Sequence, residues 1–124
     1  MKYLCLISAE RLLEQMSPAE RERRLDEYRE FTDALRRSGH YVACHRLQPP
    51  EAAVTLRVRQ GAVSVTDGPF AETKEHLGGF YLIEARDMNE AIQIAARIPG
   101  ARIGCVEVRP IAEDLPTLQA LKQH

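Results

Sequence analysis

Two strand–helix–strand patterns, each with a helix-capping signature, constrain the fold of this chain more than any other feature. SPAE at 17–20 combines an N-cap serine, a proline at the first helical position and the acid of a capping box. DMNE at 87–90 is a second capping-box pattern, with aspartate as the cap and no proline. Each signature follows an apolar run and opens a helical segment that leads to a second apolar run. The pattern predicts two β-α-β units, over residues 2–47 and 79–109.

The first unit opens with residues 2–8, which are apolar on both alternating faces and predict a central strand. A helix is predicted from Pro18 to about Ser38, with Gly39 as its C-terminal stop. Residues 40–47 predict the second strand. Three- and four-residue spacing predicts the buried stripe of the helix: Leu25, Tyr28, Phe31, Thr32 and Leu35.

A hairpin separates the two units. Residues 53–59 alternate cleanly between apolar and polar, Gln60-Gly61 turns the chain, and residues 62–66 return. In the second unit, strands are predicted at 79–85 and 102–109, and Pro99-Gly100 is predicted to stop the helix between them. That helix is predicted to bury Met88, Ala91, Ile92, Ala95 and Ile98.

These elements predict an α+β, ferredoxin-like antiparallel sheet with both helices on one face. The other face would then be bare, although the strands carry apolar residues on that side too. Large exposed apolar surfaces mark interfaces, so we expect a homodimer that pairs through its sheet faces. We expect one domain over 1–111, followed by a tail at 112–124 that forms at most one short helix.

Composition narrows the range of partners. The chain of 124 residues has 44% apolar and 28% charged residues and a net charge of −1. A charge so close to zero supplies no electrostatic attraction to nucleic acid or to an anionic membrane surface. No apolar run reaches the length of a membrane span, and the N-terminus lacks the features of a signal peptide. The cytoplasm is the expected location.

The three cysteines, Cys5, Cys44 and Cys105, all fall within predicted strands. Their odd number and the absence of a C-x-x-C spacing argue against a disulfide framework or a zinc site. We expect buried, reduced thiols. His40, His45 and His76 form no metal-ligand pattern, and no phosphate-binding loop is present, so no metal or cofactor is expected.

The segment 66–81, TDGPFAETKEHLGGFY, carries the strongest functional signal. Asp67 lies at a strand end beside Gly68-Pro69, where proline restricts the backbone and can hold a carboxylate in place. Asp67 is either a general base or ligand-orienting carboxylate, or the acceptor of an Asx turn. Tyr28 is either a hydroxyl donor or acid in the same cleft, or a packed residue of the helix stripe. Candidate ligand-binding residues are Phe70, Glu72, Lys74 and Tyr81.

The run from Val65 to Pro99, followed by VEVRPI, resembles the YCII-related family in its DGPF-domain branch. The resemblance covers residues 1–111 and implies a dimeric α/β barrel of ferredoxin-like subunits. It implies no settled activity: some members resemble dehydrochlorinases with a His–Asp pair, and some are encoded with extracytoplasmic sigma factors. Asp67 matches the aspartate of that pair, whereas Tyr28 stands where the histidine is expected.

Four functions therefore stay open at this stage. The first is a small-molecule enzyme performing proton-transfer or lyase chemistry, dehydrochlorinase-like, around Asp67 and Tyr28. The second is a non-catalytic ligand-binding or regulatory module associated with a sigma factor. The third is a monooxygenase or haem protein, for which this sequence shows no clear axial ligand. The fourth is an RNA-binding domain, which we discount because the sequence has neither the aromatic-basic strand motif nor a basic net charge.

Overall fold

Capping interactions set the ends of both long helices. The structure, a computed structural model, describes residues 1–70 and 74–113. Helix α1 spans Pro18–Ser38 and helix α2 spans Met88–Ala95. The six strands are β1 (Lys2–Ala9), β2 (Tyr41–Arg46), β3 (Val54–Arg59), β4 (Ala62–Asp67), β5 (His76–Glu84) and β6 (Cys105–Pro110). Three short 3-10 turns cover Leu13–Gln15, Pro50–Ala52 and Pro99–Arg102.

The start of α1 follows the predicted signature only in part. Ser17 Oγ accepts a hydrogen bond from the Glu20 backbone N–H at 3.2 Å, as an N-cap should. The Glu20 carboxylate does not complete a capping box, because it accepts a hydrogen bond from Arg11 at 2.6 Å instead. At the other end, Gly39 adopts φ 81°, the left-handed conformation in which glycine has no steric penalty.

Helix α2 begins at the predicted cap and buries the predicted residues except Ile92. Asp87 Oδ1 accepts from the Glu90 N–H at 2.9 Å. Ala91, Ile94, Ala95 and Ile98 are buried, whereas Ile92 is exposed, so the prediction for Ile92 was wrong. Ile92 and Ile94 are two positions apart and so lie on opposite sides of this short helix. The sequence pattern did not determine which of the two packs against the sheet. The helix ends at Ala95, and a 3-10 turn follows before β6.

The main sheet has the strand order β2-β5-β1-β6, and all neighbouring strands are antiparallel. Inward-facing strand residues such as Tyr3, Cys5 and Ile83 share one core with buried residues of both helices. Both helices therefore pack on the same face of the sheet, which confirms the predicted α+β, ferredoxin-like arrangement. The opposite face carries Leu4, Leu6, Phe80 and Leu82, all partly exposed.

Strands β3 and β4 form a separate two-stranded sheet. Gln60 and Gly61 both have positive φ, 53° and 77°, as in the two-residue turns that match the twist of a hairpin. Register partners on an antiparallel ladder share a face, so the pairs in register place five aliphatic side chains and Asp67 on one side of the hairpin. These aliphatic residues are Val54, Leu56, Val58, Val63 and Val65, each 52–64% exposed.

The cysteines differ from the prediction in their burial. All three are free thiols on strands, as expected. Only Cys5 is buried, whereas Cys44 is half-buried and Cys105 is exposed. Cys105 opens the edge strand β6, where its side of the sheet has no cover from the helices. The tail prediction lies almost wholly outside the described residues, since it concerns 112–124.

Candidate functional site

A cavity of about 480 Å³ lies between α1 and the helix-facing side of the sheet. Strand alternation builds its floor: Cys44 on β2 stands in register with Tyr81 on β5, and both side chains face α1. Tyr28 and Thr32, one helical turn apart on α1, supply the opposite wall. Apolar side chains complete the enclosure: Ile7, Leu12, Leu13, Met16, Leu25, Leu47 and Ile103.

A cluster of hydroxyl groups lies at the inner end of this cavity. The Tyr81 hydroxyl and Thr32 Oγ1 are 2.7 Å apart and share a hydrogen bond in which either can donate. The Tyr81 ring packs edge-on against Phe31, with 5.1 Å between centroids, and lies parallel to the Tyr28 ring at 6.4 Å. These ring contacts fix the orientation of Tyr81, since aromatic pairs favour such geometries.

Tyr28 is positioned by a glycine on a distant segment. Its hydroxyl accepts a hydrogen bond from the Gly100 backbone N–H. A Cβ atom at position 100 would lie 2.6 Å from that hydroxyl and 2.7 Å from Ile7 Cγ2, closer than real Cβ contacts allow. The absence of a side chain at Gly100 therefore lets the Tyr28 hydroxyl occupy this place in the cavity wall.

Burial raises the pKa of both phenols. It raises the pKa of Tyr28 above its ordinary value, although the Gly100 N–H and the Arg24 charge oppose the shift. Burial also raises the pKa of Tyr81, more strongly, against the lowering effect of the Thr32 hydrogen bond. Both groups are protonated at neutral pH, as tyrosines with the ordinary pKa already are, and burial reinforces this state, so Tyr28 can donate a hydrogen bond.

The structure brings two of the predicted site residues, Tyr28 and Tyr81, together and leaves Phe70 and Lys74 outside the cavity. Tyr28 and Tyr81 both line the cavity. Phe70 is 80% exposed, with the Arg57 guanidinium 5.6 Å from its ring centroid. Lys74 is exposed and does not line this cavity. Glu72 lies outside the described residues.

Asp67 ends strand β4 as an exposed residue and does not line the cavity that contains Tyr28. The structure of the single chain therefore does not bring Asp67 and Tyr28 into one cleft. Within residues 1–70 and 74–113, the Asp67 carboxylate makes no hydrogen bond or ion pair. The usual Asx turn is closed to it, because the residue two positions on is Pro69, which has no N–H.

Two hydrogen bonds to the backbone of Gly68 hold the loop that follows Asp67. The Gly68 N–H donates to the Ala53 carbonyl at 2.7 Å, and Thr55 Oγ1 donates to the Gly68 carbonyl at 2.9 Å. Gly68 has φ 97°, a backbone conformation that residues with a side chain rarely adopt. Pro69 borders a second cavity of about 590 Å³, which shares Ser8 and Leu47 with the first.

No group of three or more His, Cys, Asp or Glu side chains in residues 1–70 and 74–113 is arranged to hold a metal ion. None of the helices in that part of the chain is both long enough and apolar enough to cross a bilayer.

A ferredoxin-like α+β domain with a cavity under its first helix is the class that fold and site define. The chain belongs to the YCII-related domain family, whose model matches residues 1–114. It is also similar to an uncharacterised protein of Rhizobium meliloti (strain 1021), with 51% identity over 69 residues, 54% of this chain and 56% of that protein. The matched region therefore spans little more than half of that relative.

Several cavity residues were not predicted from the sequence to belong to a site. Thr32 and Leu25 were assigned to the buried helix stripe, and Gly100 to a helix stop. Arg46 stood in a predicted strand without a role. The helical spacing did indicate the face of α1 that carries Tyr28 and Thr32, but only the sheet register shows that Cys44 and Tyr81 lie opposite that face.

Proposed function

We propose that this protein binds a small organic molecule in the cavity between α1 and the sheet. The cavity itself carries this proposal: about 480 Å³ falls within the range of small-ligand sites. Such sites combine an apolar lining with a few convergent polar groups. Tyr28, Thr32 and Tyr81 supply those polar groups here, and their positions are fixed by hydrogen bonds and ring packing.

The enzymatic form of this proposal is lyase-type or dehydrochlorinase-like acid–base chemistry. Tyr28 would be the acid, since its hydroxyl is protonated at neutral pH and lines the cavity, while burial raises its pKa and so makes it a weaker acid than an ordinary tyrosine. Asp67 would be the base, and this requires the end of the β3–β4 hairpin to reach the mouth of the cavity. Asp67 is exposed and outside the cavity lining, so the geometry supports ligand binding more directly than catalysis.

We further propose that two copies pair through the outer faces of their main sheets. Leu4 and Leu82 are register partners on that face, with Leu6 and Phe80 beside them. A second copy would remove these side chains from water, which stabilises association by roughly 25 cal/mol per Å² of apolar surface before the costs of ordering.

The exposed apolar face of the hairpin favours a second role, as a regulatory module that binds another protein. Five aliphatic side chains on one side of a two-stranded ladder form an apolar patch of the kind that marks an interaction site. Association with an extracytoplasmic sigma factor fits this role. Residues 67–70, Asp-Gly-Pro-Phe, are the basis for assigning the chain to the DGPF branch of the family.

Native mass spectrometry against a library of small organic molecules tests ligand binding. We expect one-to-one complexes with the wild type, and their loss in Cys44→Leu, which adds bulk inside the cavity. Cys105→Leu is the matched control, since Cys105 is exposed and outside the cavity lining. Equal binding by both variants, or no complex with any compound, would contradict the proposal.

A further inference from the structure

The charged side chains around the cavity are mostly cationic. Among residues 1–70 and 74–113, five arginines contribute to its lining, against two carboxylates and no lysine. The carboxylates are Glu14, exposed on the 3-10 turn that follows β1, and Asp33, which stands 3.9 Å from Arg36. The arginines are Arg11, Arg24, Arg29, Arg36 and Arg46.

Four of these arginines already have a carboxylate partner on the protein. Arg46 differs, because within the described ranges it makes no ion pair, hydrogen bond or ring contact. A guanidinium carries five N–H donors in a planar fork and is always charged. Among the described lining arginines, Arg46 is thus the one without any protein partner, so all five of its donors are open to a ligand. The existing pairs are Arg11–Glu20, Arg24–Glu27, Arg29–Asp26 and Arg36–Asp33.

The position of Arg46 aims it at the cavity mouth. Arg46 ends β2 two residues after Cys44, so strand alternation places both side chains on the helix-facing side. Its register partner on β5 is Gly79, which brings no side chain of its own to that side. Arg46 is exposed, whereas Cys44 is half-buried, so the cavity runs from a solvated guanidinium inward to the hydroxyl cluster.

The inner polar groups are donors as well. Tyr28 keeps its proton, and Arg24 Nε is buried without a hydrogen-bond partner. Most of the remaining lining is aliphatic or aromatic. A complementary ligand has an apolar body and acceptor atoms at two places, an anionic group at the mouth for Arg46 and a further acceptor for the inner donors, because unpaired donors at a buried site are costly unless the ligand satisfies them.

We propose that the ligand of this cavity is a small organic carboxylate, bound with its apolar body against the aliphatic lining and its carboxylate on Arg46. This inference rests on the proposed function and names the ligand class of the same site. A carboxylate fits better than a phosphate, because one open guanidinium matches one planar monoanion in a two-hydrogen-bond arrangement. A phosphate dianion would require further cations, and the other lining arginines are paired.

Calorimetric titration with matched probes tests the ligand class. The probes are 3-phenylpropionate, its amide, 3-phenylpropylamine and inorganic phosphate, which separate the anion, the apolar body and the charge sign. We expect the carboxylate to bind up to about fivefold more tightly than the amide, the ratio for an ion pair with an exposed guanidinium. The amine is included because Glu14, a carboxylate of the lining, would bind a cation. Tighter binding of the amine or of phosphate than of the carboxylate would overturn the proposal.

Variants locate the effect. Arg46→Gln should remove the preference for carboxylate over amide, and Arg46→Lys should retain part of it. Arg59→Gln on the hairpin, outside both cavities, is the matched control and should change nothing. If carboxylate and amide bind equally and Cys44→Leu abolishes both, the cavity is a ligand site but the proposed class is wrong. If no probe binds, or if Cys44→Leu binds the probes as the wild type does, both the proposed ligand class and the proposed ligand-binding function are wrong.

Discussion

The Tyr28 hydroxyl lies where a side chain on residue 100 would have to be, 2.6 Å from the Cβ position of Gly100. This contact joins the middle of α1 to the 3-10 turn that precedes β6. It explains why a glycine is needed at a position whose φ is not positive. The hydrogen bond from the Gly100 N–H to the same hydroxyl adds a polar restraint to the steric one.

Gly100→Ala should therefore destabilise the protein. An alanine at a compatible φ would otherwise stabilise by about 0.4–1 kcal/mol. Here the added methyl group overpacks against Tyr28 and Ile7, and such insertions typically cost about 1–3 kcal/mol. Chemical denaturation should show the lower free energy of unfolding. Tyr28→Phe removes the hydroxyl, so the cost of Gly100→Ala should be smaller in that background, and strictly additive effects would contradict the account.

The two cavity phenols should titrate late. Burial raises the pKa of Tyr28 and Tyr81 above the ordinary 10.0. Their protonated forms therefore favour the folded state: this contribution is complete below pH 10.0 and is lost as the pH rises towards the folded pKa values. The tyrosinate absorbance of wild type minus that of Tyr28→Phe should show a step above pH 10.0. A step at or below the ordinary value would contradict burial of this hydroxyl.

Asp67→Asn should leave the stability nearly unchanged. Asp67 is exposed, and its carboxylate has no partner among the described residues, so no network is broken. The free energy of unfolding should change by less than about 0.5 kcal/mol, the usual range for such surface positions. A thermal melt against wild type measures this. A clear loss of stability would show that the charge of Asp67 is structural, whereas lost ligand turnover with intact folding would support the base role.

The dimer proposal predicts a specific response to a charge on the outer sheet face. Sedimentation of the wild type at micromolar concentration should show a dimer, and Leu82→Glu should shift it to monomer. Charge buried without a partner is strongly unfavourable at an interface. Val65→Lys tests separately whether the hairpin face contributes, with Thr66→Lys on its opposite side as the control. A wild type that stays monomeric would contradict the proposal.

Much of the fold follows from local chemistry in the sequence. Ser17 and Asp87 cap their helices, Gly39 ends α1, and Gln60-Gly61 turns the hairpin, because each depends only on neighbouring residues. The burial of Ile94 rather than Ile92 was missed, since a short helix can present either to the sheet.

The site could be predicted only in part, for a physical reason. Helical spacing pointed to Tyr28, and Tyr81 was a candidate because it lies at the end of the segment 66–81. The rigid Asp67 loop was recognised, but its rigidity does not determine which surface it faces. Arg46 and Gly100 acquire their roles from contacts across the fold, to the cavity mouth and to Tyr28, and no local pattern encodes such contacts.

The accessibility of Cys44 to a small alkylating reagent tests the central claim, that the cavity is an open ligand site, most directly. Cys5 is fully buried at 0% exposure and is the internal reference, and Cys105→Ser removes the exposed thiol. Peptide mass spectrometry should show Cys44 alkylated while Cys5 is spared, and 3-phenylpropionate should slow the modification of Cys44 but have little effect in Arg46→Gln. Equal protection of Cys44 and Cys5, or a Cys44 rate that no organic acid changes, would contradict the account.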